Sequence, residues 1–202
     1  TKSSNNISAY LMKQYGPNAM VDMMRKMGVG CYLDPVNSLC VGSADISVYE
    51  MVAAYNTFPS KGVYVSPIFV TRIEDSMGNV LGEFNNRKQE AISEYTAYLM
   101  ANLMQGVVNS GTGVRLRAKY GLTGEIAGKT GTTNDPYDVW FDGFTPKYAA
   151  ALWIGTDNNV ELDTTSATAA KLWSTIMSKV KSENIAPGAT KFIHGITAFL
   201  LY

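Results

Sequence analysis

Residues 127–133, Ala-Gly-Lys-Thr-Gly-Thr-Thr, 138–144, Asp-Val-Trp-Phe-Asp-Gly-Phe, and 148–155, Tyr-Ala-Ala-Ala-Leu-Trp-Ile-Gly, decide the fold. Each is a short run of apolar, aromatic and β-branched residues bounded by turn chemistry, which predicts strands over 125–133, 139–144 and 148–155. Thr145-Pro146-Lys147 joins the last two, and connections this short make an antiparallel meander. Beyond them, Ala169, Trp173, Ile176, Met177 and Val180 repeat at helical spacing. A helix from about 165 to 181 therefore covers one face of the sheet. The fold class is α+β, an antiparallel sheet flanked by helices.

Working back from the sheet, Ile92, Tyr95, Leu99, Leu103 and Val107 recur at helical spacing and predict a helix, broken by Ser110-Gly111-Thr112-Gly113. A short basic segment follows with Arg115, Arg117 and Lys119, whose simplest reading is a solvated helix face. Ser47 and Glu50 form an S-x-x-E capping box with Ile46 and Met51 as its staple, so a helix starts there and runs to Phe58 before Pro59. Residues 64–74 and 80–84, separated by Asp75-Ser76-Met77-Gly78-Asn79, read as a hairpin lying apart from the later strands. Near the start, 7–12 are helical, and Pro17 opens a second helix whose Met20, Met23, Met24 and Met27 form a core stripe ending at Gly28.

Composition removes several function classes. The 202 residues carry 17 Lys plus Arg against 17 Asp plus Glu, so no basic surface points to nucleic acid. One domain is the default at this length. No apolar run reaches the roughly 20 residues of a membrane span. Cys31 and Cys40 flank a loop, and their spacing leaves a disulfide and two separate thiols equally open. With His194 the single histidine and far from both, no metal-ligand spacing exists, and no cofactor is expected. The tail 187–202 has no settled place; a terminal strand or docking segment is the simpler reading of its apolar end.

Gly128-Lys129-Thr130 suggests a phosphate-binding loop, but Thr123 stands where that pattern needs glycine and no helix follows. On a strand edge the same residues make a different site. Lys129 supplies a cation, Thr130 and Thr132 supply hydroxyls, and Gly131 leaves the backbone open to an added peptide strand with a carboxylate.

Ser4-Asn5-Asn6 and Lys129-Thr130-Gly131, in that order, resemble the S-x-N and K-T-G motifs of the serine acyl-transferases that include penicillin-binding proteins and serine β-lactamases. The continuation K-T-G-T-T-N-D with D-x-W-F-x-G-F-T-P is similar to the transpeptidase domain of class A (bifunctional) penicillin-binding proteins. Gly42 to Ser47, Ala53 to Phe58, Gly62 to Pro67 and Ser110 to Gly113 add to the likeness, which covers Ser4 to about Val180.

The resemblance implies a β-lactamase/transpeptidase-like fold, incomplete at its N-terminal side, with stem peptides and β-lactams as ligands. Ser4 would relay a proton and Asn6 would bond the substrate's peptide. Lys129 would set the electrostatics of the cleft. Thr130 and Thr132 would bind the carboxylate, and the Thr132 N–H would be one of two oxyanion donors. Asp138, Trp140 and Phe141 read as scaffold. The family nucleophile is the serine of an S-x-x-K motif upstream of S-x-N, and here that pattern occurs only at Ser178–Lys181, downstream of K-T-G on a helix end. These residues are thus expected to be the C-terminal portion of the domain, inactive without the rest, which would cover apolar surface left open here. The location implied is extracytoplasmic, with the parent protein anchored outside this stretch. A β-lactamase or D,D-carboxypeptidase using water as acceptor, and a non-catalytic cell-wall-peptide module, are the alternatives.

Overall fold

The computed structural model describes residues 1–134, 137–156, 158, 160–182 and 198–201. These residues build three sheets: strands β1 (Val63–Val65) and β4 (Lys88–Glu90), strands β2 (Arg72–Glu74) and β3 (Val80–Glu83), and a four-stranded sheet in the order β5 (Ala127–Thr132), β6 (Asp138–Phe144), β7 (Ala149–Gly155), β8 (Ala198–Leu201). All pairings are antiparallel. The meander expected from the short connections is present, and the end of the tail joins it as an edge strand on β7. His194 lies outside the described residues.

Among the described residues, six α-helices flank the sheets: α1 (Asn5–Tyr15), α2 (Pro17–Lys26), α3 (Val48–Asn56), α4 (Glu94–Ser110), α5 (Arg115–Ala118) and α6 (Ser166–Ser182). Strand alternation splits the large sheet between two cores. Val139, Phe141, Ala150 and Leu152 pack on α6 through Ala169, Trp173, Ile176, Met177 and Val180, the row read from the sequence. On the other face, Ala127, Phe144, Ala149 and Ala151 meet Val48 and Val52 of α3 and Met104 of α4. A third cluster joins Met12, Val29, Leu33, Leu39 and Ala54, with Met20, Met24 and Met27 against it. Met23 departs from the expected stripe and is exposed.

The capping box forms as expected: Ser47 Oγ accepts from Glu50 N, and Glu50 Oε2 accepts from Ser47 N. Glu50 does more than cap. Its Oε1 also accepts from Gly30 N at 2.7 Å and Cys31 N at 2.8 Å, tying the start of α3 to the turn after α2.

One expectation is corrected. The stretch 64–74 is not one strand: β1 ends at Val65, before Pro67, and pairs with β4, while only β2 pairs with β3. Arg87 N donates to Ser66 Oγ and Ser66 N to Arg87 O, closing the first pair from outside the hairpin. The turn 75–79 does form, with Asp75 Oδ1 accepting from Met77 N and Asn79 N. Helix α4 buries Ala97, Met104, Val107 and Val108, whereas Tyr95, Leu99 and Leu103 are 71%, 42% and 62% exposed. Small Ala97, 0% exposed, lies on the inward face, and the bulky row points out.

Candidate active site

Strand β5 is the edge of the large sheet among the described residues, so one side of its backbone is unpaired there. Alternation sends Lys129 and Gly131 to one face and Thr130 and Thr132 to the other. Lys129 Nζ donates to Ser3 Oγ and to Thr130 O, both at 2.7 Å. Burial pushes the Lys129 ammonium below its usual range, and the Asp142 carboxylate opposes that shift.

Ser3 was not singled out from the sequence. Ser4 is the N-cap of α1, exposed and without a side-chain capping bond, and Asn5 and Asn6 form the first exposed turn. The adjacent serines create two overlapping S-x-N registers, Ser3-Ser4-Asn5 and Ser4-Asn5-Asn6, and nothing local chooses between them. The structure brings Ser3 to Lys129 and leaves Ser4 beside the pair. Ser3 takes a φ of 53°, a left-handed conformation uncommon outside glycine.

Thr112 is the second residue that sequence reasoning passed over, although its Ser-Gly-Thr-Gly loop was noticed. Its hydroxyl bonds that of Thr130 at 2.7 Å. Thr112 N donates to Thr1 O, so the loop also receives the residues leading to Ser3. Gly111 lets this happen, since a Cβ there would collide with Thr1 O and lie 2.8 Å from Val107 Cα. Thr132 is exposed, and its hydroxyl donates back to Gly131 O at 2.8 Å. Gly131 pairs with Trp140, and a Cβ would come within 3.1 Å of the Trp140 Cβ; the glycine serves cross-strand packing as well as an open edge.

Asp138 accepts from Trp153 Nε1 at 2.7 Å, and Phe141 meets Trp173 edge-on with centroids 5.2 Å apart. Both are framework contacts under the strand pair. Ser178, of the misplaced S-x-x-K, is exposed on α6. Cys31 and Cys40 are free thiols. Arg117 is half-buried and its guanidinium is engaged by the protein: it donates to Asn109 Oδ1, Leu122 O and Gly124 O. No helix among the described residues is long and apolar enough to cross a membrane.

With the lysine, hydroxyl and strand edge in place, the sequence matches the penicillin binding protein transpeptidase domain over residues 1–178. The chain belongs to this family. It is similar to penicillin-binding protein 1A of Clostridium acetobutylicum, 34% identical over 88% of this chain and 22% of that protein. Penicillin-binding protein 2D of Bacillus subtilis is 33% identical over 86% of the chain and 26% of its own length. The chain thus spans about a quarter or less of such relatives, 22% and 26% for these two. Among solved folds, penicillin-binding protein 1A from Haemophilus influenzae superposes with a TM-score of 0.80 at 20% identity, over 96% of this chain and 35% of that one. PonA1 from Mycobacterium tuberculosis, in complex with penicillin V, gives 0.72 at 22% identity, over 92% and 54%. The α+β architecture is that of the class A penicillin-binding transpeptidases. Within it, Ser3 and Lys129 meet beside the edge of β5 that is unpaired among the described residues.

Proposed function

We propose that this transpeptidase-family chain is the substrate-binding part of a serine D,D-transpeptidase that cross-links peptidoglycan stem peptides and is acylated by β-lactams. The single observation that carries the reading is the Lys129 Nζ to Ser3 Oγ bond beside an open strand edge. In this reaction a serine oxygen adds to the carbonyl carbon of the penultimate D-Ala. The C–N bond to the terminal D-Ala breaks, and the hydroxyl proton leaves with that amine. A neighbouring stem-peptide amine then displaces the serine oxygen, which recovers a proton. A β-lactam follows the first half: its ring C–N bond opens and the ester persists.

Each motif residue has a part in this scheme. The hydroxyl held by Lys129 passes the proton to the departing nitrogen; the contact favours Ser3 for that task, with Asn5 in place of Asn6 as the amide that bonds the substrate peptide. Thr130 and Thr132 bind the carboxylate at the edge of β5, and the Thr132 N–H is one oxyanion donor. Removing such a donor costs on the order of 10²-fold or more in rate, because the charge appears only in the transition state.

The nucleophile belongs to an S-x-x-K segment elsewhere in the full-length protein. The exposed rows Tyr95, Leu99 and Leu103 of α4, and Ile7 and Tyr10 of α1, are the surfaces that the rest of the domain covers. Work on peptidoglycan places the protein outside the cytoplasm. Incubating the full-length gene product with a fluorescent penicillin and mapping the labelled peptide tests the reading. Label is expected on a serine of an S-x-x-K outside these 202 residues, with none on the 202 residues alone. No label on the full-length protein, or label on Ser178, overturns it.

A further inference from the structure

Asp142 is a cross-strand neighbour of Lys129, and no role assigned above accounts for it. It is the register partner of Lys129 across the β5 and β6 pairing, so the two side chains share a face of the sheet. On its other side its partner is Ala151 of β7, fully buried. Ala127, Phe144, Ala149 and Ala151 form an apolar cluster on this face. Asp142 itself is 3% exposed, and its Oδ1 has no hydrogen-bond partner. An apolar side chain would fill such a position without the desolvation cost that a carboxyl brings. A buried carboxyl with an unused oxygen, one strand from a half-buried ammonium, therefore has an electrostatic task.

We propose that Asp142 is a positioning residue: in its ionised form it is the buried counter-charge that keeps Lys129 protonated and donating to Ser3 Oγ. Among the described residues, the titratable groups that act on it are Lys129 from β5 and the phenol of Tyr55 from α3, and its register partner on β7 is Ala151. Burial pushes the Asp142 carboxyl up to about 8, against the pull of the Lys129 cation. Burial likewise pushes Lys129 down, and Asp142 opposes it. The Tyr55 phenol is pushed further up and stays neutral. As pH rises through about 8, Asp142 gives up its proton across the strand pair from the ammonium and strengthens the hold of that ammonium on its own proton. The cation then survives into alkaline solution, where burial alone would discharge it and the Nζ would lose a donor hydrogen.

The inference rests on the reading of Lys129 as part of the acylation cleft, and its test separates the two. In the full-length protein, the ionisation of Lys129 is read by competitive acetylation with acetic anhydride across pH and mass spectrometry of its peptide, with exposed Lys61 as internal standard. Penicillin acylation is followed over the same range. Asp142→Asn should move both the Lys129 titration and the alkaline limb of acylation to lower pH, and Asp142→Glu should restore them. Asp142→Ser, smaller and easier to pack, should give the same acidward shift and serves if the asparagine variant misfolds. An unchanged Lys129 titration in either neutral variant overturns the inference, including when acylation falls uniformly at every pH, which marks a merely structural role. A wild-type protein that penicillin does not acylate sinks the functional reading instead, and the Lys129 titration then decides the inference by itself.

Discussion

Lys129 and Ser3 are 126 residues apart in the chain and meet at 2.7 Å, the lysine Nζ donating to the serine Oγ. The contact requires the chain before α1 to thread between the loop after α4 and the exposed edge of β5. Thr1 O accepting from Thr112 N secures it. One hydroxyl is thereby selected from two neighbouring serines.

Exchanging each serine separately should expose that selection. Ser3→Ala in the full-length protein removes the acceptor of the Lys129 ammonium and is expected to slow acylation by penicillin roughly 10²-fold, in the range of general acid and base contributions. Ser4→Ala, at an exposed N-cap making no capping bond, should leave the rate within a few-fold. Stopped-flow acylation by a chromogenic β-lactam measures both, and the opposite ranking restores the Ser4-Asn5-Asn6 register.

Glu50 should give α3 an acid-sensitive anchor. Burial pushes its carboxyl up, but bonds from the Ser47 hydroxyl and from the Cys31, Gly30 and Ser47 N–H groups outweigh that and hold it below the ordinary carboxylate range. A lowered folded value contributes stability that is fully present above the unfolded value and is lost as pH falls through the folded one. Glu50→Gln should therefore destabilise by about 1–2 kcal/mol near neutral pH, as loss of a cap and charged hydrogen bonds does. Urea titrations of both proteins should converge in acid; a gap that persists unchanged at low pH contradicts the assignment.

Arg117 clamps the turn that leads into β5. Arg117→Lys, which keeps the charge but loses the planar fork reaching Leu122 O and Gly124 O, is expected to cost roughly 2 kcal/mol. Arg115→Ala and Lys119→Ala, both exposed, should stay within about 0.5 kcal/mol. Thermal unfolding of the three variants distinguishes a clamp from a general basic surface.

Gly143 and Trp173 form one packing unit under the sheet. A Cβ at residue 143 would lie 2.7 Å from Phe141 Cε1 and 2.9 Å from Trp173 Cζ2. Gly143→Ala should cost about 1–3 kcal/mol by overpacking. Trp173→Ala, which empties a site 1% exposed and removes the bond from Nε1 to Ala150 O, should cost about 3–5 kcal/mol. The double variant should cost less than the sum, because the part of the clash that involves Trp173 disappears with the indole while that with Phe141 stays. Additive losses in urea unfolding argue against the shared contact.

Features written within a few residues of each other were legible in the chain. The capping box at Ser47 and Glu50, the Asp75 to Asn79 turn, the α6 face and the three strands around Lys129 depend on local periodicity and side-chain bonds that form within one element or one turn. The family could be read for the same reason, since its motifs are short and ordered along the chain. Tertiary structure decided everything that required comparing distant segments. It closed β1 on β4 instead of on the neighbouring hairpin, because Ser66 meets Arg87. It turned Ala97 and not Leu99 inward, because the small side chain lies on the face that packs against the sheet. It placed Ser3, not Ser4, on Lys129, and set Asp142 opposite Lys129 across the strand pair. Helical and strand periods report which residues share a face; the partner that each face meets, and which of two adjacent hydroxyls lies within 3 Å of a lysine on another element, depend on how the whole chain is packed.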